Sequence, residues 1–99
     1  QVCALLCEGS AYFGTEYGNE CFCGPSTDDP KSLGERTCDR RCAGDADQIC
    51  GDRDAISLYK YTPIVTIPYS PLGCFADDRR NRVLSGASLL NDPNMTTEV

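Results

Sequence analysis

The stretch Ala11-Tyr12-Phe13-Gly14-Thr15-Glu16-Tyr17-Gly18-Asn19-Glu20-Cys21-Phe22-Cys23 decides how this chain reads. It predicts two short strands that turn at Gly18-Asn19, a pair of residues suited to a hairpin. Alternation places Phe13, Thr15 and Tyr17 on one face and Tyr12, Gly14 and Glu16 on the other. Cys21 and Cys23 are two apart, so on a strand they face the same side and are better placed to bridge to other elements than to each other.

Working outward from the hairpin, residues 1–8 (Gln-Val-Cys-Ala-Leu-Leu-Cys-Glu) read as helix, with Cys3 and Cys7 on one face. That helix begins without an N-cap residue. Residues 24–37 are rich in Gly, Pro, Ser and Asp and read as loop. Cys38 and Cys42 suit a second helical turn, 44–54 an acidic loop, and Ala55 to Tyr61 an alternating strand. Residues 62–71 (Thr-Pro-Ile-Val-Thr-Ile-Pro-Tyr-Ser-Pro) carry three prolines and no charge, which predicts an extended, semi-rigid linker. Beyond it, Gly73 to Asp78 reads as a strand entering a turn, and Val83-Leu84 as a short apolar segment. Met95-Thr96-Thr97-Glu98-Val99 reads as a helix start, with Thr96 as N-cap. The chain thus ends on a helix start without a helix and begins on a helix without a start. Residue 1 is Gln and no leader precedes it, so the expectation is a processed product or a fragment.

Eight of the 99 residues are Cys: Cys3, Cys7, Cys21, Cys23, Cys38, Cys42, Cys50 and Cys74. Such density in a short chain points to an oxidised, secreted scaffold. The reason is size: a domain this small buries only roughly 60–65% of its unfolded surface. Cross-links of about 2–4 kcal/mol each then supply what the core lacks. Eight cysteines allow roughly a hundred sets of four bridges, and spacing alone does not choose among them. The chain has no His, which excludes Ser-His-Asp and Cys-His catalysis and His-based metal sites. A net charge of −6 argues against nucleic acid as a partner. No apolar run approaches the ~20 residues of a membrane span.

Joining the end to the beginning yields Met95-Thr96-Thr97-Glu98-Val99 followed by Gln1-Val2-Cys3-Ala4-Leu5-Leu6-Cys7. In that order the chain resembles the WSC domain, a secreted carbohydrate-binding module of fungal cell-wall sensors and wall-active enzymes. The family's opening Gly-Cys-Phe and Leu-Ser-Gly segments match Gly73-Cys74-Phe75 and Leu84-Ser85-Gly86. Its Met-Thr-x-Glu segment leading to Cys-x3-Cys matches Met95 to Glu98 and Cys3/Cys7. A Gly-x-Glu-Tyr-Gly-x-Glu-Cys-x-Cys-Gly segment is matched by Gly14 to Gly24. A second Cys-x3-Cys (Cys38/Cys42) and Cys50-Gly51, leading to a strand over Ile56 to Tyr59, complete the pattern. The order departs from the family's, because its first segment comes last here, and Gln1-Val2 adds about two residues at the junction. The resemblance therefore suggests one period of a tandem array: residues 1–61 form the C-terminal three quarters of one module, 62–72 a Pro-rich linker, and 73–99 the N-terminal part of the next.

The expected fold is a small disulfide-rich α+β module: a short antiparallel sheet, one main helix carrying Cys3 and Cys7, long loops and four disulfides. The resemblance implies non-catalytic binding of wall polysaccharide of the β-glucan, xylan or chitin type; the alternative is a structural repeat of a glycosylated extracellular fibre. Aromatic faces pack on the C–H face of a pyranose, and nearby amides and carboxylates bond its hydroxyls. Tyr12, Glu16, Tyr17, Asn19 and Glu20 are the sugar-contact candidates, with core packing, turn chemistry and solvated charge as their plain structural roles. Asn94-Met95-Thr96 is an N-glycosylation sequon, and Thr62, Thr66 and Ser70 are O-glycan candidates on composition. Asp28, Asp29, Asp45, Asp47, Asp52, Asp54, Asp77 and Asp78 lack the spacing of a calcium loop. Arg79, Arg80 and Arg82 suit local ion pairs with Asp77-Asp78. Zinc is the lesser alternative to disulfides for the close Cys pairs, and neither a metal nor a cofactor is expected. Expected partners are polysaccharide and neighbouring repeats of the same protein, in an extracellular or cell-wall setting.

Overall fold

The structure is a computed structural model and describes residues 2–24, 26–27, 34–61, 69–77, 83–85 and 88–97. The expected hairpin forms from β1 (Tyr12–Glu16) and β2 (Glu20–Gly24), joined through Tyr17, Gly18 and Asn19. The expected strand at 55–61 is β6 (Ala55–Tyr61), which pairs antiparallel with β1 on its other edge. β7 (Tyr69–Ala76) and β9 (Ser88–Asn91) extend the sheet on either side, so that its order is β7-β6-β1-β2-β9. Two small ribbons flank it: β3 (Ser26–Thr27) with β8 (Leu84–Ser85), and β4 (Arg41–Cys42) with β5 (Asp45–Ile49). The stretch expected as linker divides: 62–68 lie outside the described residues, and Tyr69 to Leu72 open β7. The register between β6 and β7 shifts at Leu58/Tyr59, where Leu58 faces Gly73 and Tyr59 faces Pro71. Leu72 is the extra residue of this bulge and is exposed.

Both faces of the sheet are covered, which is why four consecutive residues of β1, Phe13 to Glu16, are all buried. On one face Phe13 and Cys21 pack with Cys3, Ala4, Cys7 and Met95, ringed by the partly buried Tyr59, Tyr61 and Tyr69. On the other, Phe22, Ile56, Leu58, Phe75, Val83 and Leu84 form an apolar cluster against which Tyr12 packs.

The main helix expected at 1–8 is corrected to a single turn, α1 (Cys3–Leu6). Val2 is extended and bridges in parallel to Thr96, and no side chain caps the helix. Instead, the N–H groups of Cys3 and Ala4 donate to the carbonyls of Thr96 and Thr97 at 2.8 and 3.1 Å. The segment expected to start a helix, Met95 to Val99, therefore supplies α1's first bonds from outside it. Met95 itself is a fully buried core plug, and 98–99 lie outside the described residues. So short a helix cannot persist alone, and its anchor is covalent: Cys3 bridges Cys21 and Cys7 bridges Cys23. The geometry is commensurate, because four residues of helix rise about 6 Å and two residues of strand about 6.7 Å.

The helical turn expected at Cys38/Cys42 is also absent. Cys42 lies on β4, and Cys38 sits in an irregular segment and bridges Cys74. That segment runs beside β7, with Arg36 N–H donating to the Cys74 carbonyl and Ala76 N–H to Gly34. The acidic loop expected at 44–54 contains strand β5. This strand buries little of its own surface, and the Cys42–Cys50 bridge closes the ribbon that holds it. All eight sulfurs are thus consumed. Cys3, Cys7 and Cys21 gather their sulfur atoms within 4.8 Å, but as disulfides they offer no thiolate to zinc.

Candidate functional site

The β1–β2 turn is pinned from below. Tyr17 N–H donates to the Asp52 carbonyl, Gly18 N–H to Cys50 (2.9 Å), and the Gly18 carbonyl accepts from Ala43 N–H (2.9 Å). Tyr17 and Gly18 both adopt left-handed backbone, with φ of 55° and 81°. For Gly18 this costs little, and a side chain there would press on the Arg41 carbonyl. For an aromatic residue it is an outlier, of a kind that costs roughly 1–3 kcal/mol and concentrates at functional sites.

The strain presents the Tyr17 ring to solvent, 48% exposed. One ring face is backed by Arg40, whose guanidinium carbon lies 4.3 Å from the centroid. Arg40 is steadied in turn by Asp52, with Nε 4.0 Å from Oδ1. The Asp52 carboxylate accepts from the N–H groups of Arg53 (2.8 Å) and Asp39 (3.1 Å). Those two bonds, and then the Arg40 charge, hold its carboxyl below the usual carboxylate range. The result is a chain of fixed groups, Asp52 to Arg40 to Tyr17, behind a half-exposed aromatic ring.

The structure brings some expected residues to this surface and not others. Asn19 is in the turn; its carbonyl accepts from Asp92 N–H at 3.0 Å, and its side-chain oxygen is buried without a hydrogen-bond partner. Glu20 lies beside the turn, half-buried, opposite Glu16 and Asn91. Glu16 is only 4% exposed, so its carboxylate lies beneath the surface. Tyr12 is five strand residues away, about 17 Å, with the apolar cluster on the opposite face and Lys60 Nζ 5.9 Å from its ring. Tyr12 and Tyr17 therefore belong to different surfaces.

Asn94 is exposed in the turn after β9, where its N–H donates to Asp92 Oδ1. Ser70 is half-buried on β7, and Thr62 and Thr66 lie outside the described residues. So do Asp28, Asp29, Asp78, Arg79, Arg80 and Arg82. Asp45 accepts from Asp47 N–H and Gln48 Nε2, and buried Asp77 accepts from Val83 N–H. These carboxylates shape the backbone. Arg40 and Asp52 are the site residues that sequence reasoning missed. They stand 23 and 35 residues from Tyr17, and no local pattern links them to it.

Fold and surface together define a disulfide-stapled, strand-built module with an aromatic ring displayed on a fixed turn. The family model described as WSC domain matches residues 1–52. A WSC domain-containing protein of Arthroderma benhamiae is 38% identical over 105 residues, covering 99% of this chain and 14% of its own length. A xylosyltransferase of Drosophila pseudoobscura is 41% identical over 63 residues (60% of this chain, 7% of its own length), and one of Caenorhabditis briggsae is 30% identical over 60 residues (60% and 8%). No solved structure matches. This chain belongs to the WSC domain family, whose members are in general carbohydrate-binding modules of cell-wall proteins and typical of extracellular settings. It spans only about a seventh or less of the length of these relatives. Among the described residues no helix is long and apolar enough to cross a membrane.

Proposed function

We propose that this module binds cell-wall polysaccharide of the β-glucan, xylan or chitin type without catalysing a reaction on it, in an extracellular or wall-associated protein. One observation carries the reading: the half-exposed Tyr17 ring, held in left-handed backbone and backed by Arg40. An aromatic ring fixed in water at a conformational cost is well suited to stack on a pyranose, because little freedom remains to be lost on binding. The exposed Arg40 guanidinium and the partly exposed Glu20 carboxylate add groups suited to sugar hydroxyls. A non-catalytic role agrees with the carboxylates: Glu16 and Glu20 are neighbours across the hairpin, with Glu16 buried, whereas glycoside hydrolysis needs two carboxyl groups flanking a bound sugar.

The test is retention of the oxidised chain on insoluble β-glucan, xylan and chitin, with Tyr17→Ala beside it. Retention by at least one polymer, lost in a Tyr17→Ala protein that keeps its melting temperature, is expected. Failure of the correctly oxidised chain to bind any of the three overturns the reading.

A second reading, a structural repeat of a glycosylated extracellular fibre, is favoured by a different observation. The Arthroderma relative aligns with 99% of this chain in this chain's own segment order, although it is about seven times longer. Consecutive modules in one polypeptide would present that order. In this reading the contacts of 69–97 with 1–61 also form between neighbouring units, with Cys74 of one bridged to Cys38 of the next. Non-reducing gel electrophoresis tests it: a ladder that reduction collapses supports the exchange, and a single monomer band counts against it.

A further inference from the structure

Three tyrosines outside the Tyr17 surface meet at the other end of the sheet. Tyr59 and Tyr61 alternate on β6 and share the Phe13 face, and Tyr69 is the register partner of Tyr61 on β7. The Tyr59 ring stacks on Phe13 at 4.9 Å with 5° between planes, and Tyr61 lies tilted at 5.0 Å. Tyr69 stands edge-on to Phe13, Tyr59 and Tyr61 at 5.3, 6.0 and 6.4 Å. Phe13 is fully buried, but each tyrosine is only partly so. The cluster is therefore a wall that reaches the surface, with its rings fixed by one another.

Its rim is polar. The Tyr61 hydroxyl donates to the Ala4 carbonyl. Burial first, and then the nearby Glu8 carboxylate, push this hydroxyl up to about 12. Glu8 itself is exposed. Covering Phe13 would need only aliphatic side chains. Three mutually packed tyrosine rings, with the exposed Glu8 carboxylate near Tyr61, instead combine ring surface for sugar C–H groups with an acceptor for sugar hydroxyls. Glu8 and the net charge of −6 disfavour an acidic polymer.

We propose that Tyr59, Tyr61 and Tyr69, with Glu8 at the rim, form a second contact surface for a neutral polysaccharide, separate from Tyr17. The two ends of the seven-residue β6, near which these surfaces lie, are roughly 20 Å apart. Two weak contacts on one insoluble polymer reinforce each other without any new interaction. This inference rests on the sugar-binding reading above, and its test distinguishes the two.

Isotope-labelled chain is titrated with laminarihexaose, xylohexaose and chitohexaose, and backbone amide shifts are followed by NMR. The expected result is saturable shifts at 8, 59–61 and 69 with at least one hexamer, persisting in Tyr17→Ala. Glu8→Gln, an exposed change that leaves the core intact, weakens that response roughly two- to tenfold. Tyr69→Leu, which keeps apolar cover on Phe13, abolishes it. Shifts confined to the Tyr17 turn overturn this proposal and leave the sugar-binding reading standing. Shifts at the tyrosines that vanish in Tyr17→Ala overturn it too, because the two would then be one site. Silence everywhere overturns both.

Discussion

The two faces of the central sheet are held by different means. The Phe13 face carries the Cys3–Cys21 and Cys7–Cys23 bridges, a one-turn helix and the inserted Met95. The Leu58 face carries Phe22, Ile56, Phe75, Val83 and Leu84, and its cluster includes no cysteine. Where the covering segment is too short to bury much surface, covalent closure of the unfolded chain replaces burial. Where side chains from four strands and a loop converge, transfer from water suffices. The three-tyrosine surface belongs to the first regime, and the Tyr17 turn rests on the ribbon that the Cys42–Cys50 bridge closes.

The largest way to break this contrast is reduction. With all four bridges open, the chain is expected to lose cooperative thermal unfolding by circular dichroism at neutral pH. The Cys38–Cys74 bridge, 36 residues apart, accounts for about 4 kcal/mol of the loss on loop-closure grounds. A cooperative melt that survives reduction would mean that the apolar face carries the fold alone. Next in size is Leu58→Ala, at a position with no exposed surface, expected to cost about 3 kcal/mol in denaturant titration of the oxidised protein. A cost well under 1 kcal/mol would mean that the cross-links carry both faces.

The same contrast separates what could be read in the chain from what could not. The hairpin was legible because a two-residue period and a Gly-Asn turn are local signals, and Ala55 to Tyr61 was legible for the same reason. The shared orientation of Cys21 and Cys23 followed from that period. Their partners did not, because the match between one helical turn and two strand residues exists only once α1 lies along β2. Local signals overstated the helix, since Val2 is drawn into a bridge with Thr96 from the far end of the chain. Tyr17 was legible as a candidate, but its setting was not: Arg40 and Asp52 reach it through the β4–β5 ribbon. Tyr69 was concealed by its prolines, which marked a linker where a strand at the sheet edge tolerates them.

Tyr61→Phe sharpens the view of the tyrosine wall. Losing one hydroxyl bond to Ala4 is expected to cost about 1 kcal/mol. In alkaline ultraviolet titration of the oxidised chain, Tyr61 should keep its proton until about pH 12, and its step should be missing in Tyr61→Phe. The sign follows from the raised value. The neutral phenol favours the folded state, so its contribution is complete below pH 10.0 and is lost as pH rises through about 12.

The smallest effect expected is at Asp52, and it has the opposite sign. The folded chain holds this carboxyl below 3.8 through bonds from Arg53 and Asp39, then through Arg40. The folded state therefore binds its proton less readily than the unfolded chain. Its contribution is present above about pH 3.8 and is lost as pH falls through the lower folded value. The Asp52 side chain is 33% exposed, so solvent and salt screen the pair and the gain is small. Asp52→Ala should lower the melting temperature slightly at pH 7 and leave it level with the parent chain in strong acid. It should also weaken polysaccharide retention at pH 7, because Arg40 is no longer held over the Tyr17 ring. If retention is unchanged while the melting temperature falls, the clasp serves the ribbon and not the ring. The contrast between cross-linked support and displayed aromatic surface would then rest on Tyr17 and the three tyrosines without Arg40.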